Sequence, residues 1–188
     1  MELANQQVTD KELGYLAAMI EGEGTIALNL RKKTWNGWNG WGADVRVVIA
    51  NTDSGIIQKC AHILEKMGIT ANIRTYDRKG MGKHGQWKDC VQVVVAKISH
   101  AYKLLKAVIP ELAGDKKHKA ELIVEFLERR LTRKGQRSGK GGESWYDAQD
   151  WANVKAVYDS CGKKFPDGYP QRLHAFQPAK ADDIVQTS

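Results

Sequence analysis

Two carboxylates, Glu21 and Glu23, alternate with Gly22 and Gly24 at the end of the apolar run Leu16-Ala17-Ala18-Met19-Ile20. Oxygen ligands of this kind suit Mg²⁺, which takes one or two carboxylates and completes its shell with phosphate oxygens and water. An acidic helix end is ordinarily a solvated surface feature. Two acids there oppose the helix macrodipole, however, at a cost of roughly 0.3 kcal/mol each, which suggests another purpose. Gly14 and Ala18 stand four apart on one face of the same segment, and small residues at that spacing let a second helix approach closely. A twofold pairing with another copy of this helix would bring the two Glu23 side chains together at one symmetric junction.

Other elements must position that junction. Thr9-Asp10-Lys11-Glu12 has the form of a capping box, and Leu13, Leu16, Ala17 and Ile20 follow at helical spacing, which predicts a helix over about residues 10–21 that the glycines then break. Thr25 to Arg31 alternates as a half-buried strand does, and Ala43 to Ala50 is a second, valine-rich strand. Between them, WNGWNGW (residues 35–41) is too rich in glycine for regular structure to be expected. Asp53 or Ser54 caps a helix with the stripe Ile56, Ile57, Cys60, Ile63, Leu64 and Met67, ending at Gly68. Two further strands fit Thr70 to Arg78 and Trp87 to Ile98, separated by a loop over Gly80 to Gly85. A short helix capped by Ser99 then runs to Pro110. A longer helix over Lys116 to Leu131 turns Ala120, Ile123, Val124 and Leu127 inward. The expected fold class is α+β, with an α-β-β-α-β-β-α core over residues 1–131, a basic glycine-rich linker over 132–143 and a helical extension over 144–188. The extension's helix spans Asp147 to Cys161.

The nine residues Leu16-Ala17-Ala18-Met19-Ile20-Glu21-Gly22-Glu23-Gly24 resemble the signature of the LAGLIDADG homing endonucleases, with Ala18, Met19, Glu21 and Glu23 standing for residues of like size or charge. The order of elements resembles that family's core as well. The resemblance implies paired helices at the centre of a saddle-shaped antiparallel sheet. It also implies that Glu23 and the carbonyl of Gly22 bind Mg²⁺, or another divalent cation such as Mn²⁺. The motif occurs once, so a homodimer is implied, with Gly14, Ala17, Ala18 and Glu21 in the interface and a long, near-palindromic double-stranded DNA target. The implied activity is a double-strand break made by water across the minor groove, leaving short 3′ overhangs. Asn51 matches the place of a polar residue that orders water at the site. Lys116 matches the lysine before the next helix, with Lys117 as its rival, and a lysine there would stabilise charge on the scissile phosphate or polarise the attacking water.

Strand alternation supplies an independent expectation. Ile26, Leu28 and Leu30 share one face of the first strand, which leaves Asn29, Arg31 and Lys33 on the other. The second strand offers Asp44 and Arg46, the third Arg74, Tyr76 and Arg78, and the fourth Lys88 and Gln92. Arginine suits the major-groove edge of guanine, and asparagine or glutamine that of adenine. So many basic residues facing one way would be unfavourable without a polyanion. Arg129, Arg130, Arg133, Lys134, Arg137 and Lys140, with no acid among them, are expected to add phosphate contacts. Trp35, Trp38 and Trp41 are expected to pack against their own hairpin rather than stack on DNA.

Composition agrees with this and excludes other classes. The chain has 188 residues, 42% apolar and 27% charged, so it can bury a core, and 29 Lys plus Arg against 22 Asp plus Glu give +7, which favours a polyanionic partner. No apolar run approaches the ~20 residues needed to span a bilayer, and the polar opening MELANQQVTDKEL fits an intracellular protein with no membrane partner; the family resemblance implies DNA and no small-molecule substrate. Cys60, Cys90 and Cys161 are odd in number and scattered, as buried reduced thiols would be. The rival on the same scaffold is a module that only binds, either an RNA maturase or a DNA-binding regulator, but it has no use for a metal-binding acid at Glu23. HNH chemistry needs clustered histidines, whereas His62, His84, His100, His118 and His174 are dispersed. Pro110-Glu111 and Asp115-Lys116-Lys117 lie too close together to form a PD-(D/E)xK site.

Overall fold

In the computed structural model, which describes residues 7–35, 38–78, 88–132 and 146–166, the capping box forms as its residues dictate. The Thr9 side chain accepts from the Glu12 N–H, Glu12 accepts from the Thr9 N–H at 2.9 Å, and helix α1 runs over Asp10–Glu23. It continues two residues past the expected stop, so Glu23 is its last residue rather than lying beyond it. Gly24 sets the end: its N–H closes on the Ile20 carbonyl, and a Cβ there would stand 2.6 Å from the Ile20 backbone. Only glycine can turn the chain at that point.

The turn leads into β1 (Gly24–Trp35), which pairs antiparallel with β2 (Trp38–Asn51) from Gly24↔Ile49 to Trp35↔Trp38. The tryptophan-glycine segment is therefore mostly strand, against expectation. A ladder of paired amides outweighs the weak strand propensity of glycine. Asp53 caps helix α2 (Ser54–Lys66) by accepting the Gly55 N–H. Strands β3 (Asn72–Tyr76) and β4 (Cys90–Val95) complete an open antiparallel sheet in the order β1-β2-β4-β3. Both are shorter than expected. The Thr70 amide leaves the ladder to donate to His100 Nδ1 at 2.8 Å, and Ile98 already opens helix α3 (Ile98–Val108). The cap of α3 is Lys97, without a side-chain bond, and not Ser99. A 3₁₀ turn at Ile109–Glu111 leads to α4 (Gly114–Thr132), and α5 (Ala148–Ser160) follows with a second capping box, Asp147 with Asp150.

Every helix lies against one sheet face. Ile26, Leu28 and Leu30 of β1 and Ala43, Val45, Val47 and Ile49 of β2 join Leu16 and Ile20 of α1, Ile57 and Leu64 of α2, Leu104 of α3 and Ile123 and Leu127 of α4 in one hydrophobic cluster. Each fully buried large aliphatic in it contributes about 1.5–3 kcal/mol. Trp151, Val154, Val157 and Tyr158 of α5 belong to the same cluster, as does Trp41, in keeping with a structural role for that tryptophan. The side chains of Lys33, Trp35 and Trp38 lie outside the described residues. Cys60 and Cys90 are buried free thiols and Cys161 is half-buried; burial pushes the Cys60 thiol up to about 11, which keeps it unreactive. Among the described residues no helix is long and apolar enough to cross a membrane.

Glu12 also ties α1 to α2, through Lys66 Nζ at 2.6 Å. The hydrogen bond from Lys66, then that from the Thr9 amide, holds its carboxyl at about 2 instead of 4.5. A folded-state value below the unfolded one contributes stability above the unfolded value and loses it as pH falls through the folded one. Thermal melts of the wild type should therefore lose stability from about pH 4.5 down to 2, and Glu12→Gln should flatten that part of the acid limb.

Candidate functional site

The end of α1 can be accounted for carbonyl by carbonyl. A helix leaves its last carbonyls without intrahelical partners. The Ile20 oxygen takes the Gly24 N–H and also the ammonium of Lys116 at 2.8 Å, and Lys116 Nζ donates to the Glu21 oxygen as well. The carbonyl of Gly22 is next in line. Lys116 sits in the first turn of α4, so the start of one helix clamps the end of another, and a cation is placed where the α1 dipole is negative. Among the described residues Lys116, not Lys117, is the lysine hydrogen-bonded to this end. The Glu21 carboxylate turns aside to accept the Ala113 N–H at 3.5 Å. Glu23 is exposed, and among the described residues its carboxylate makes no hydrogen bond or ion pair.

Pairing of Gly24 with Ile49 lays the end of β2 beside this turn, and Asn51 is its last residue. The Asn51 Oδ1 accepts the Asp53 N–H at 2.9 Å, an Asx turn that aims the chain into α2. Its amide NH₂ has no partner among the described residues. On α1 itself, Ala18 and Glu21 are exposed and Gly14 is half-buried, whereas Ala17 is 1% exposed and packs into the chain's own core. An added Cβ at Gly14 or Gly22 would meet nothing within 4 Å. Nothing among the described residues requires glycine at those positions, although each costs about 1 kcal/mol of helix stability against alanine.

Among the described residues no three His, Cys, Asp or Glu side chains converge to hold a metal ion. Among the described residues the end of α1 offers one open carboxylate, that of Glu23, beside the Gly22 carbonyl. That donor set fits an oxygen-seeking cation such as Mg²⁺ only in part, because further carboxylate, phosphate or water oxygens must complete the shell.

Register settles which residues share the sheet face turned away from the helices. Asn29 pairs with Asp44, Ala27 with Arg46, and Ala50, Gln92 and Arg74 form one row across β2, β4 and β3, with Tyr76 one step further along β3. Arg31, Arg74 and Tyr76 are exposed, and Asn29, Asp44, Arg46 and Gln92 are half-buried. Thr25 and Asn72 are exposed on the same face by the same alternation. Arg31 Nε lies 3.5 Å from Asp44 Oδ2, so part of the expected positive surface is internally balanced. The backbone of Lys33 continues the face opposite Gly40. Arg78 and Lys88 fall just outside the strands, where the Arg78 N–H donates to Asp89 at 3.2 Å.

The basic run divides. Arg129 is taken up inside the fold by Asp147 at 2.9 Å and the fully buried Asp150 at 3.2 Å, and the Arg130 guanidinium lies 4.5 Å from the centre of the Tyr146 ring. Arg133 to Lys140 lie outside the described residues. The partnership of Lys116 with α1 was beyond sequence reasoning, since nothing local marks a contact between residues 96 apart in the chain. The Arg31–Asp44 pair is different: once strand register is known, opposite charges on neighbouring rows of one face are an adequate signal.

The profile of the LAGLIDADG-like domain matches residues 10–108. Among solved structures, the chain is similar to the homing endonuclease I-CvuI in complex with its target in the presence of calcium, at 13% identity over 87% of this chain and 90% of that one, with a TM-score of 0.60. It is also similar to the group I intron-encoded homing endonuclease I-CeuI complexed with DNA, at 15% identity over 88% of this chain and 72% of that one, TM-score 0.56. An archaeal intron-encoded homing endonuclease, I-Vdi141I complexed with DNA, gives 20% identity over 88% and 91%, TM-score 0.54. At these identities the likeness shows the fold. No curated protein matches the chain.

Proposed function

The chain belongs to the LAGLIDADG-like domain family, and from that premise we propose that it is a homodimeric, site-specific endonuclease that makes a double-strand break in a long, near-palindromic DNA target by metal-dependent hydrolysis. The observation that carries this reading is the exposed Glu23 carboxylate, without a partner among the described residues, at a glycine-flanked helix end in a fold whose outer sheet face bears Asn29, Arg31, Asp44, Arg46, Arg74, Tyr76 and Gln92. A face that only bound nucleic acid would have no use for that acid.

Glu23 and the Gly22 carbonyl would hold a divalent cation, Mg²⁺ or Mn²⁺, which when bound supplies Lewis acidity toward a phosphodiester. The rest is the work of the chain. Lys116 anchors the helix end with two of its three ammonium donors and keeps the third for a phosphate oxygen or the attacking water. Asn51 offers its free NH₂ to order that water. Arg31, Arg46, Arg74 and Gln92 contact base edges, and Lys33, Arg78 and Lys88 at the periphery contact phosphates, which makes affinity fall steeply with salt.

The open helix face with Gly14, Ala18 and Gly22 is where a second copy would dock and bring its own Glu23 to the junction. Gly14→Leu should keep or raise helix content, because leucine is the better helix former and an added Cβ meets nothing. The same substitution should convert a dimer at micromolar concentration into a monomer by sedimentation velocity and abolish double-strand cutting. A variant that remains dimeric removes α1 from the interface.

The deciding experiment is selection from a randomised duplex library with Ca²⁺ in place of Mg²⁺, followed by Mg²⁺ cleavage of the winner. The expected result is one long motif with twofold-related halves that is cut on both strands. Enrichment of a bound motif that Mg²⁺ never cuts would favour a regulator, and no enrichment of duplex DNA would favour an RNA-binding role.

A further inference from the structure

Leu30 of β1 and Ala43 of β2 are cross-strand partners, and the amide of each is taken up by a side chain from outside the pair. The Leu30 N–H donates to the Tyr158 hydroxyl at 2.8 Å in a buried contact, and the Ala43 N–H donates to the Tyr146 hydroxyl at 3.0 Å. Antiparallel partners alternate between pairs that exchange hydrogen bonds and pairs whose amides point away from each other, and this pair is of the second kind. The Leu30 amide thus faces the open edge of β1, the end strand of the sheet. The Ala43 amide faces the opposite way, where among the described residues β2 has no strand neighbour, because its pairing with β4 begins only at Val47. Both are edge amides that would otherwise lack a strand partner.

One tyrosine precedes the Asp147 cap of α5 and the other lies in its last turn, so α5 crosses beneath the hairpin from one edge to the other. It is anchored there. Arg129 of α4 grips Asp147 and the buried Asp150, Arg130 lies over the Tyr146 ring, and Trp151, Val154 and Val157 fill the core below. On the outer face of the same stretch of hairpin, Asn29 and Arg31 flank Leu30, and Asp44 follows Ala43 and pairs with Arg31.

Resting on the DNA-reading role proposed above, we infer that Tyr146 and Tyr158 are positioning residues for base recognition. Acting from the core side, their hydroxyls fix the twist of the hairpin and with it the places of Asn29, Arg31 and Asp44. A recognition group must be held within about 0.5 Å of its productive geometry, and a two-stranded ribbon with free edges does not hold its residues that closely. The C-terminal helix, which lies beyond the stretch that matches the family profile, thereby takes part in specificity without touching DNA.

The test uses the full-length protein with Tyr158→Phe, Tyr146→Phe and both together. Phenylalanine keeps the ring and removes only the acceptor, and the half-buried Tyr146 provides a variant that folds if loss of the buried Tyr158 hydroxyl does not. Hydrogen exchange should show the Leu30 and Ala43 amides opening about tenfold faster in the variant that frees each. Selection in Ca²⁺ should show binding to the best site weakened by about three- to tenfold. Sequence preference should be lost at the base pairs that Arg31→Ala disturbs and kept at those that Arg74→Ala disturbs. Unchanged preferences, or equal loss at every position, overturn the inference, since either would make the tyrosines merely stabilising. A wild type that enriches no DNA at all overturns the DNA-reading proposal, and this inference falls with it.

Discussion

Glu23→Gln should lower Mg²⁺-dependent double-strand cleavage by at least about 10³-fold while leaving Ca²⁺-supported binding to the selected site within about twofold. The amide has nearly the shape of the carboxylate but lacks its charge, and charge is what a hard divalent cation requires of its first ligand. Glu23 is exposed and bonded to nothing among the described residues, so its replacement should leave folding and the sheet face intact. A loss of 10³ corresponds to about 4 kcal/mol of transition-state stabilisation, in the range of removing a principal electrostatic group rather than a peripheral contact. The measurement is cleavage of a supercoiled plasmid carrying the site, read beside a gel-shift titration. Survival of cutting would show that the metal is held elsewhere.

Lys116→Met is expected to have the second largest effect, a fall in cleavage of about 10²-fold or more with a much smaller change in DNA affinity. Two contributions combine. The substitution removes the donor proposed for the phosphate or water, and it releases the carbonyls of Ile20 and Glu21, which no longer have a cation holding them. A helix end freed in this way carries Glu23 with it. Lys116→Arg separates the two contributions, because a guanidinium can still cap the carbonyls but is a poor match for a point-charge donor. It should recover the thermal midpoint and little of the rate. Lys117→Met should stay within about threefold of wild type in single-turnover cleavage, since a lysine outside the helix-end contact behaves as a surface cation. A larger loss from Lys117 than from Lys116 would reverse the two roles.

Much of this was legible in the chain because it depends on near neighbours. The capping box at Thr9, the alternation of Ile26, Leu28 and Leu30, and the stripe from Ile57 to Leu64 each encode an element within one or two turns of backbone, and each element formed. Where the local reading failed, a longer-range partner outweighed propensity. The glycine-rich residues 38–42 became strand because a whole facing strand was available to pair with them. Thr70 left its strand for a histidine 30 residues away. The helix expected to stop at Glu21 ran to Glu23 because it is Gly24 that permits the turn into β1.

The sequence by itself determined the order of elements, the inward and outward faces of the strands, and the presence of an acid at a helix end where acids are unfavourable. All of these follow from periodicities of two and 3.6 residues and from short-range caps. Only the tertiary structure decided that Lys116 rather than Lys117 reaches that end, that Ala17 serves the chain's own core, that Arg129 is consumed by Asp147 and Asp150, and that Tyr158 closes on Leu30 from 128 residues away. The reason is that a side chain's partner across the fold is set by how whole faces pack. A lysine, an arginine or a tyrosine carries the same local signature whether its polar group is bound to a distant backbone or left to water.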